Sequence, residues 1–257
     1  MSSFKSLWVL ACIVALLGVA NGVDVGVHGG EGGYSPATVA DTLQFSPLAS
    51  QAPMSAFILF ALGVTAVATE YAQRTARTTF LVLSSRRTAY LAKVAVTSVA
   101  ASAIALGSAL LGLVVGCAIL GFCGDALPDV LVLVPSLASF ALVMLCWPAL
   151  AAGMTALVGR SVPVIIVLLL WPLVLERLAG LLLRKVPGFG DVADYLPFAA
   201  ARAALHCLRD ENDPDSGFTR ALLGSDIHPG VGLVVFCLFA AFVVVAGGLV
   251  FARRDAP

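Results

Sequence analysis

Charge is what this sequence has least of. Only 12% of its 257 residues are charged, against about 25% in soluble domains, while 60% are hydrophobic and mean hydropathy is +1.01. A water-soluble fold of this length has no interior large enough to hide that apolar surface, so a soluble enzyme or binding domain is excluded. Disorder is excluded for the same reason, since disordered chains are polar. Fifteen basic and fifteen acidic residues cancel, so no basic surface for nucleic acid is implied. Lysine is scarcer still: Lys5, Lys93 and Lys185 follow Phe4, Ala92 and Arg184. Without a Gly-Lys dipeptide there is no G-x-x-x-x-G-K-[ST] phosphate loop, and ATP is not bound by that route. His28, His206 and His228 stand apart, without metal-type spacing, and read as solvated outer-surface side chains. No catalytic, cofactor-binding or metal-ligating set is legible, and the chain is not expected to be an enzyme.

What remains is a series of long apolar runs. A helix needs about 20 mostly apolar residues to cross the hydrocarbon core. Six stretches qualify: 7–23, 52–69, 94–120, 130–158, 162–175 with a continuation to 183, and 231–251. Their cores hold no Asp, Glu, Lys, Arg or His apart from Glu176-Arg177 at the far end of the fifth. Strand-like alternation is absent, which argues against a transmembrane barrel. The expected fold class is all-α: a polytopic membrane protein with six transmembrane helices in a single domain over 1–257. The first stretch has a rival reading as a secretory signal, with Lys5 before it and small Gly18 and Ala20 near its end. A retained first span fits the charge distribution better.

Orientation follows from Lys and Arg. Lys5, Arg74, Arg77, Arg86, Arg87, Lys93, Arg160, Arg253 and Arg254 all fall on one side if both termini are cytoplasmic. The opposite loops 24–51 and 121–129 contain neither Lys nor Arg. Arg177, Arg184, Lys185, Arg202, Arg209 and Arg220 share one long outer segment, 184–230 or its immediate approach, and long loops obey the rule poorly. Within that segment, residues 191–208 have helical spacing and predict a short helix lying at the outer membrane surface, followed by a turn at 211–217. Trp171, Tyr195 and Phe198 are candidate interfacial anchors. Glu176-Arg177 is expected where the fifth helix reaches the outer headgroups, after a bend at Pro172. Of six cysteines most lie within spans, but Cys123 and Cys207 share the outer side, where a disulfide is conceivable.

Span cores without ionisable groups weigh against a proton-driven carrier and against an intramembrane protease, both of which need such groups at the midplane. Span three carries Ser98, Ser102, Ala105, Ala109, Gly112 and Gly116 on one helical stripe. Small stripes let helices approach closely in lipid, either inside the chain or across a dimer face.

The loop 70–93 between spans two and three is the most specific feature. It holds an apolar patch at 80–83 between two basic clusters, the composition of a short surface helix able to dock on a soluble partner. The arrangement E-Y-x-x-x-T-x-R-T-[ST]-[LF], then R-R, then A-K opening the next span, is carried by Glu70, Tyr71, Thr75, Arg77, Thr78, Thr79, Phe80, Arg86, Ala92 and Lys93. It resembles the ABC-2 type permeases of bacterial ABC exporters, the actinobacterial ones especially. Tyr195-Leu196-Pro197 and Arg253-Arg254-Asp255-Ala256 are similar too, whereas Arg74 and Ser84 stand where that family has Gly and Pro. Only Met1–Ser6 occupy the place of the family's amphipathic entry segment.

The resemblance implies the permease subunit of an ATP-driven efflux transporter in the bacterial cytoplasmic membrane. Such a subunit pairs with a second permease chain, as homo- or heterodimer, and with a separate ABC ATPase subunit that holds ATP and Mg. The loop would supply a short cytoplasmic coupling helix: Glu70 and Arg77 fixing its fold, Phe80 and Leu83 docking on the ATPase, Arg86 and Arg87 orienting it at lipid or ATPase. The alternatives are a transporter or channel that works without an ATPase, and a non-transporting membrane assembly protein.

Overall fold

The computed structural model describes residues 2–29, 34–44, 53–73, 86–208, 225 and 227–253, and every regular element among them is helical. In chain order these are α1 (Ser2–His28), α2 (Pro36–Leu43), α3 (Met54–Gln73), α4 (Arg86–Cys123), α5 (Val130–Val158), α6 (Ser161–Leu170), a π-turn (Trp171–Leu175), α7 (Glu176–Lys185), a 3-10 turn (Asp191–Tyr195), α8 (Pro197–Leu205) and α9 (Pro229–Arg253). Five helical stretches are long and apolar enough to cross a membrane: those of α1, α4, α5, the continuous Ser161–Lys185 rod, and α9. A sixth, shorter apolar stretch is Met54–Thr69 in α3. With no water to satisfy backbone groups, an apolar chain of this kind is stable in lipid only as helices that bond internally. The protein is an all-α, polytopic membrane protein.

Local sequence sets the breaks. Asp129 caps α5, its carboxylate accepting from the Leu131 amide at 3.0 Å, and the helix stops at Gly159 in the left-handed region. Pro172 has no amide to donate, and the helical stretch passes it through a π-turn, the Glu176 amide reaching back to the Trp171 carbonyl. Helix α4 has 38 residues, so at 1.5 Å per residue it is about 57 Å long and must project beyond a hydrocarbon core of about 30 Å.

The stripe on span three is internal to the chain. Gly112 faces α1 so closely that a Cβ there would lie 2.6 Å from the Gly18 carbonyl oxygen, and one on Gly116 would lie 3.1 Å from that of Gly22. Ser108 Oγ donates to the Val14 carbonyl at 2.6 Å, and Ser102 Oγ to that of Ala141 in α5 at 2.7 Å. Because Gly18, Gly22 and Gly26 meet Ser108, Gly112 and Ile119 in rising order, α1 and α4 run parallel and start at the same end. Backbone proximity of this kind replaces the hydrophobic effect, which does not drive helices together in lipid. Helices α5 and α9 are likewise parallel, Trp147 facing Phe236 and Gly153 facing Val243. Around Trp147 an aromatic core gathers Phe57 of α3, Phe198 of α8 and Phe236 of α9, with ring centroids 5.2–6.1 Å apart.

Four expectations from the sequence are corrected here. Residues 191–208 form no surface helix: Asp191–Tyr195 is a 3-10 turn, and α8 is buried from Phe198 to Leu205, its alanine-rich surface letting α9, α5 and the preceding turns close on all sides. Phe198 is consequently a core residue and no interfacial anchor, whereas Trp171 and Tyr195 are exposed. Glu176 does not mark the headgroups; it is only 2% exposed. His206 is not a solvated side chain but a buried one. Cys123 and Cys207, between which the sequence left a disulfide open, are both free thiols.

Candidate functional site

The end of the bundle that carries the 70–93 segment is built on a second, smaller core. Val67 of α3, Tyr90 and Val94 of α4, Ala152 and Ala156 of α5, and Phe251 of α9 pack together there. Tyr90 is 1% exposed. Its hydroxyl donates to the Val244 carbonyl at 3.2 Å, and its ring lies 5.4 Å from that of Phe251. One tyrosine therefore ties the start of α4 to the end of α9. Among the described residues, exposed Arg87, Arg160 and Arg253 and half-buried Lys93 are charged groups at this end.

The predicted site residues divide unevenly. Glu70 falls on α3, Arg86 opens α4, and Arg87 is exposed one residue further on. The stretch between is shorter than the 70–93 loop read from sequence, because helix continues to Gln73 on one side and resumes at Arg86 on the other. Arg77, Phe80 and Leu83 lie outside the described residues. Tyr90 was missed, although a signal existed: Tyr90, Val94, Ser98, Ala101, Ala105 and Ala109 follow one another at three or four residues and are all buried. The small-residue stripe simply extends back through Val94 to Tyr90.

At the opposite end the polar groups sit inside. The Glu176 carboxylate accepts from the backbone amides of Phe198 at 3.0 Å and Ala199 at 2.5 Å, closing the otherwise open N-terminus of α8. Arg202, one turn along α8, brings Nη2 to 3.8 Å from the same carboxylate. Its Nη1 donates to the Pro172 carbonyl in the π-turn at 3.4 Å. Burial pulls the Arg202 guanidinium down to about 10, with Glu176 opposing the fall and Arg177 adding to it, so it stays charged at neutral pH. His206, just past α8, pairs through Nδ1 with Asp41 of α2 at 2.7 Å. Gln44 Nε2 donates to Ser136 Oγ of α5 at 2.5 Å. Exposed Arg184 pairs with Asp194 at 2.7 Å, and Ser225 Oγ donates to the Asp194 carbonyl at 2.9 Å. These bonds pin α2, α8 and the turn before it onto the bundle.

Between α1, α2, α3 and α4 lies a cavity of about 10 Å³, room for a single water, whose polar lining is Asn21, Gln44, Ser55 and Ser108. The Gln44 Oε1 facing this region is buried without a protein donor. Among the described residues no group of three or more His, Cys, Asp or Glu is placed to hold a metal ion. Comparison with protein-family models, curated proteins and solved structures finds no match to this chain.

Proposed function

We propose that this chain is the permease subunit of an ATP-driven ABC-2 type efflux transporter in a bacterial cytoplasmic membrane. It crosses six times with both termini in the cytoplasm, pairs with a second permease chain, and takes its energy from a separate ATPase subunit. The motif running from Glu70 through Arg77 and Phe80 to Arg86 and Lys93 carries this reading. Two features of the fold support it. The helices flanking that motif end beside exposed Arg87, Arg160 and Arg253, as expected of a cytoplasmic face. The Tyr90 tie also makes α4 and α9 move together, so force applied at the 74–85 stretch would reach the bundle instead of bending one helix end. ATP-driven closure of the partner would then bias the bundle between two packings through differential contacts.

The direct test is co-purification from native membranes with an ATPase that has a Gly-Lys-Ser/Thr phosphate loop, followed by Phe80→Asp with Leu83→Asp. We expect the double variant to insert and fold but to lose both ATPase capture and transport-stimulated hydrolysis. Retention of both would remove the coupling assignment, and transport by the purified chain without any ATPase would remove the whole reading.

A further inference from the structure

Cys146 of α5 and Cys237 of α9 place their sulfurs 3.5 Å apart. Both are free thiols on separate spans, 91 positions apart in sequence. The two helices are in contact beside the pair and approach closely further along. The Trp147 and Phe236 rings meet tilted, with centroids 5.7 Å apart, and further along the helices a Cβ on Gly153 would lie 2.9 Å from the Val243 carbonyl oxygen, one on Gly247 2.6 Å from that of Gly153. A disulfide needs sulfurs about 2.05 Å apart, so the 3.5 Å gap closes with a relative movement of the two sulfurs of about 1.5 Å. Access is one-sided: Cys146 is buried and Cys237 is partly exposed, about 12 Å along α9 from Pro229 at 1.5 Å per residue.

We propose that Cys146 and Cys237 form an oxidisable dithiol within the membrane, which lipid-soluble hydroperoxides convert to a disulfide stapling α5 to α9. In the first step the Cys237 sulfur attacks the terminal peroxide oxygen. The O–O bond breaks, the thiol proton leaves with the alcohol, and Cys237 is left as a sulfenic acid. In the second step the Cys146 sulfur attacks the Cys237 sulfur. The S–S bond forms as the S–O bond breaks, and the hydroxyl leaves as water with the Cys146 proton. Two thiols are oxidised and one hydroperoxide is reduced. Cys146 is the thiol in direct contact with the sulfenic acid, so condensation precedes further oxidation of Cys237.

The test uses the full chain in lipid vesicles treated with cumene hydroperoxide, then alkylated under denaturing conditions and mapped by mass spectrometry. The expected product is a Cys146–Cys237 linked peptide, lost on reduction, in the wild type and in a variant with Cys12, Cys117, Cys123 and Cys207 changed to Ser. Cys146→Ser should accumulate the higher oxidation states of Cys237 in its place. Recovery of both thiols in alkylatable form, or bridging confined to other cysteines, would overturn the proposal. Mapping the wild type keeps the test decisive even if the four-serine variant does not fold.

Discussion

Removing one member of the Glu176–Arg202 pair should cost far more than removing both. Glu176→Leu strips two charge-assisted acceptors from the first turn of α8 and takes the carboxylate away from the buried Arg202 guanidinium, which keeps its 3.4 Å bond to the Pro172 carbonyl. Hydrogen bonds to a charged group contribute about 1.5–3 kcal/mol each, and breaking a buried ion pair from one side costs about 3–5 kcal/mol in all. Arg202→Leu leaves a carboxylate that still has both amides, so the loss should fall at the lower end of that range, about 3 kcal/mol. Glu176→Leu with Arg202→Leu has no buried charge left, and its main loss is the helix cap, worth about 0.5–2 kcal/mol. The double variant should therefore be more stable than Glu176→Leu alone, with a coupling of at least about 1 kcal/mol. Equilibrium unfolding of the four proteins in mixed detergent micelles measures this cycle directly. Additive losses, or an Arg202→Leu protein as stable as wild type, would show that the pair is not the organising contact between α7 and α8.

Three further outcomes follow from the packing. Gly22→Leu drives a side chain into the Gly112 backbone and should cost about 1–3 kcal/mol or more, whereas Gly107→Leu, with nothing within 4 Å of its Cβ, should leave the thermal midpoint unchanged in the same detergent. Tyr90→Phe keeps the ring on Phe251 but loses the bond to Val244, a loss of about 0.5–1.5 kcal/mol; Tyr90→Ala should cost about 3–5 kcal/mol, read by chemical unfolding. Burial pushes the Cys207 thiol up, Ser136 and Ser139 opposing and Asp41 adding to the rise. The folded chain then keeps that proton where the unfolded chain releases it, so stability should fall as pH climbs past about 8.5, and maleimide labelling of Cys207 should accelerate at higher pH than that of exposed Cys123.

Composition and run length by themselves determine that this chain lives in a bilayer, as helices, at nearly the observed boundaries. The reason is physical: 60% hydrophobic residues in runs of span length have one stable form in lipid, with all backbone bonds made internally. The end with Arg87, Arg160 and Arg253 was legible too, since Lys and Arg are rare enough for their positions to carry information. The facing of each span was not legible. A helix in lipid is as apolar outside as inside, so periodicity cannot say that Gly112 meets α1 or that Cys146 meets Cys237. Nor could pattern place α8. An alanine-rich segment reads as a surface helix until something caps its buried end, and that cap is Glu176, 22 positions earlier. Only the tertiary structure brings together a carboxylate, two free amides and Arg202, because only there does burying each one satisfy the others.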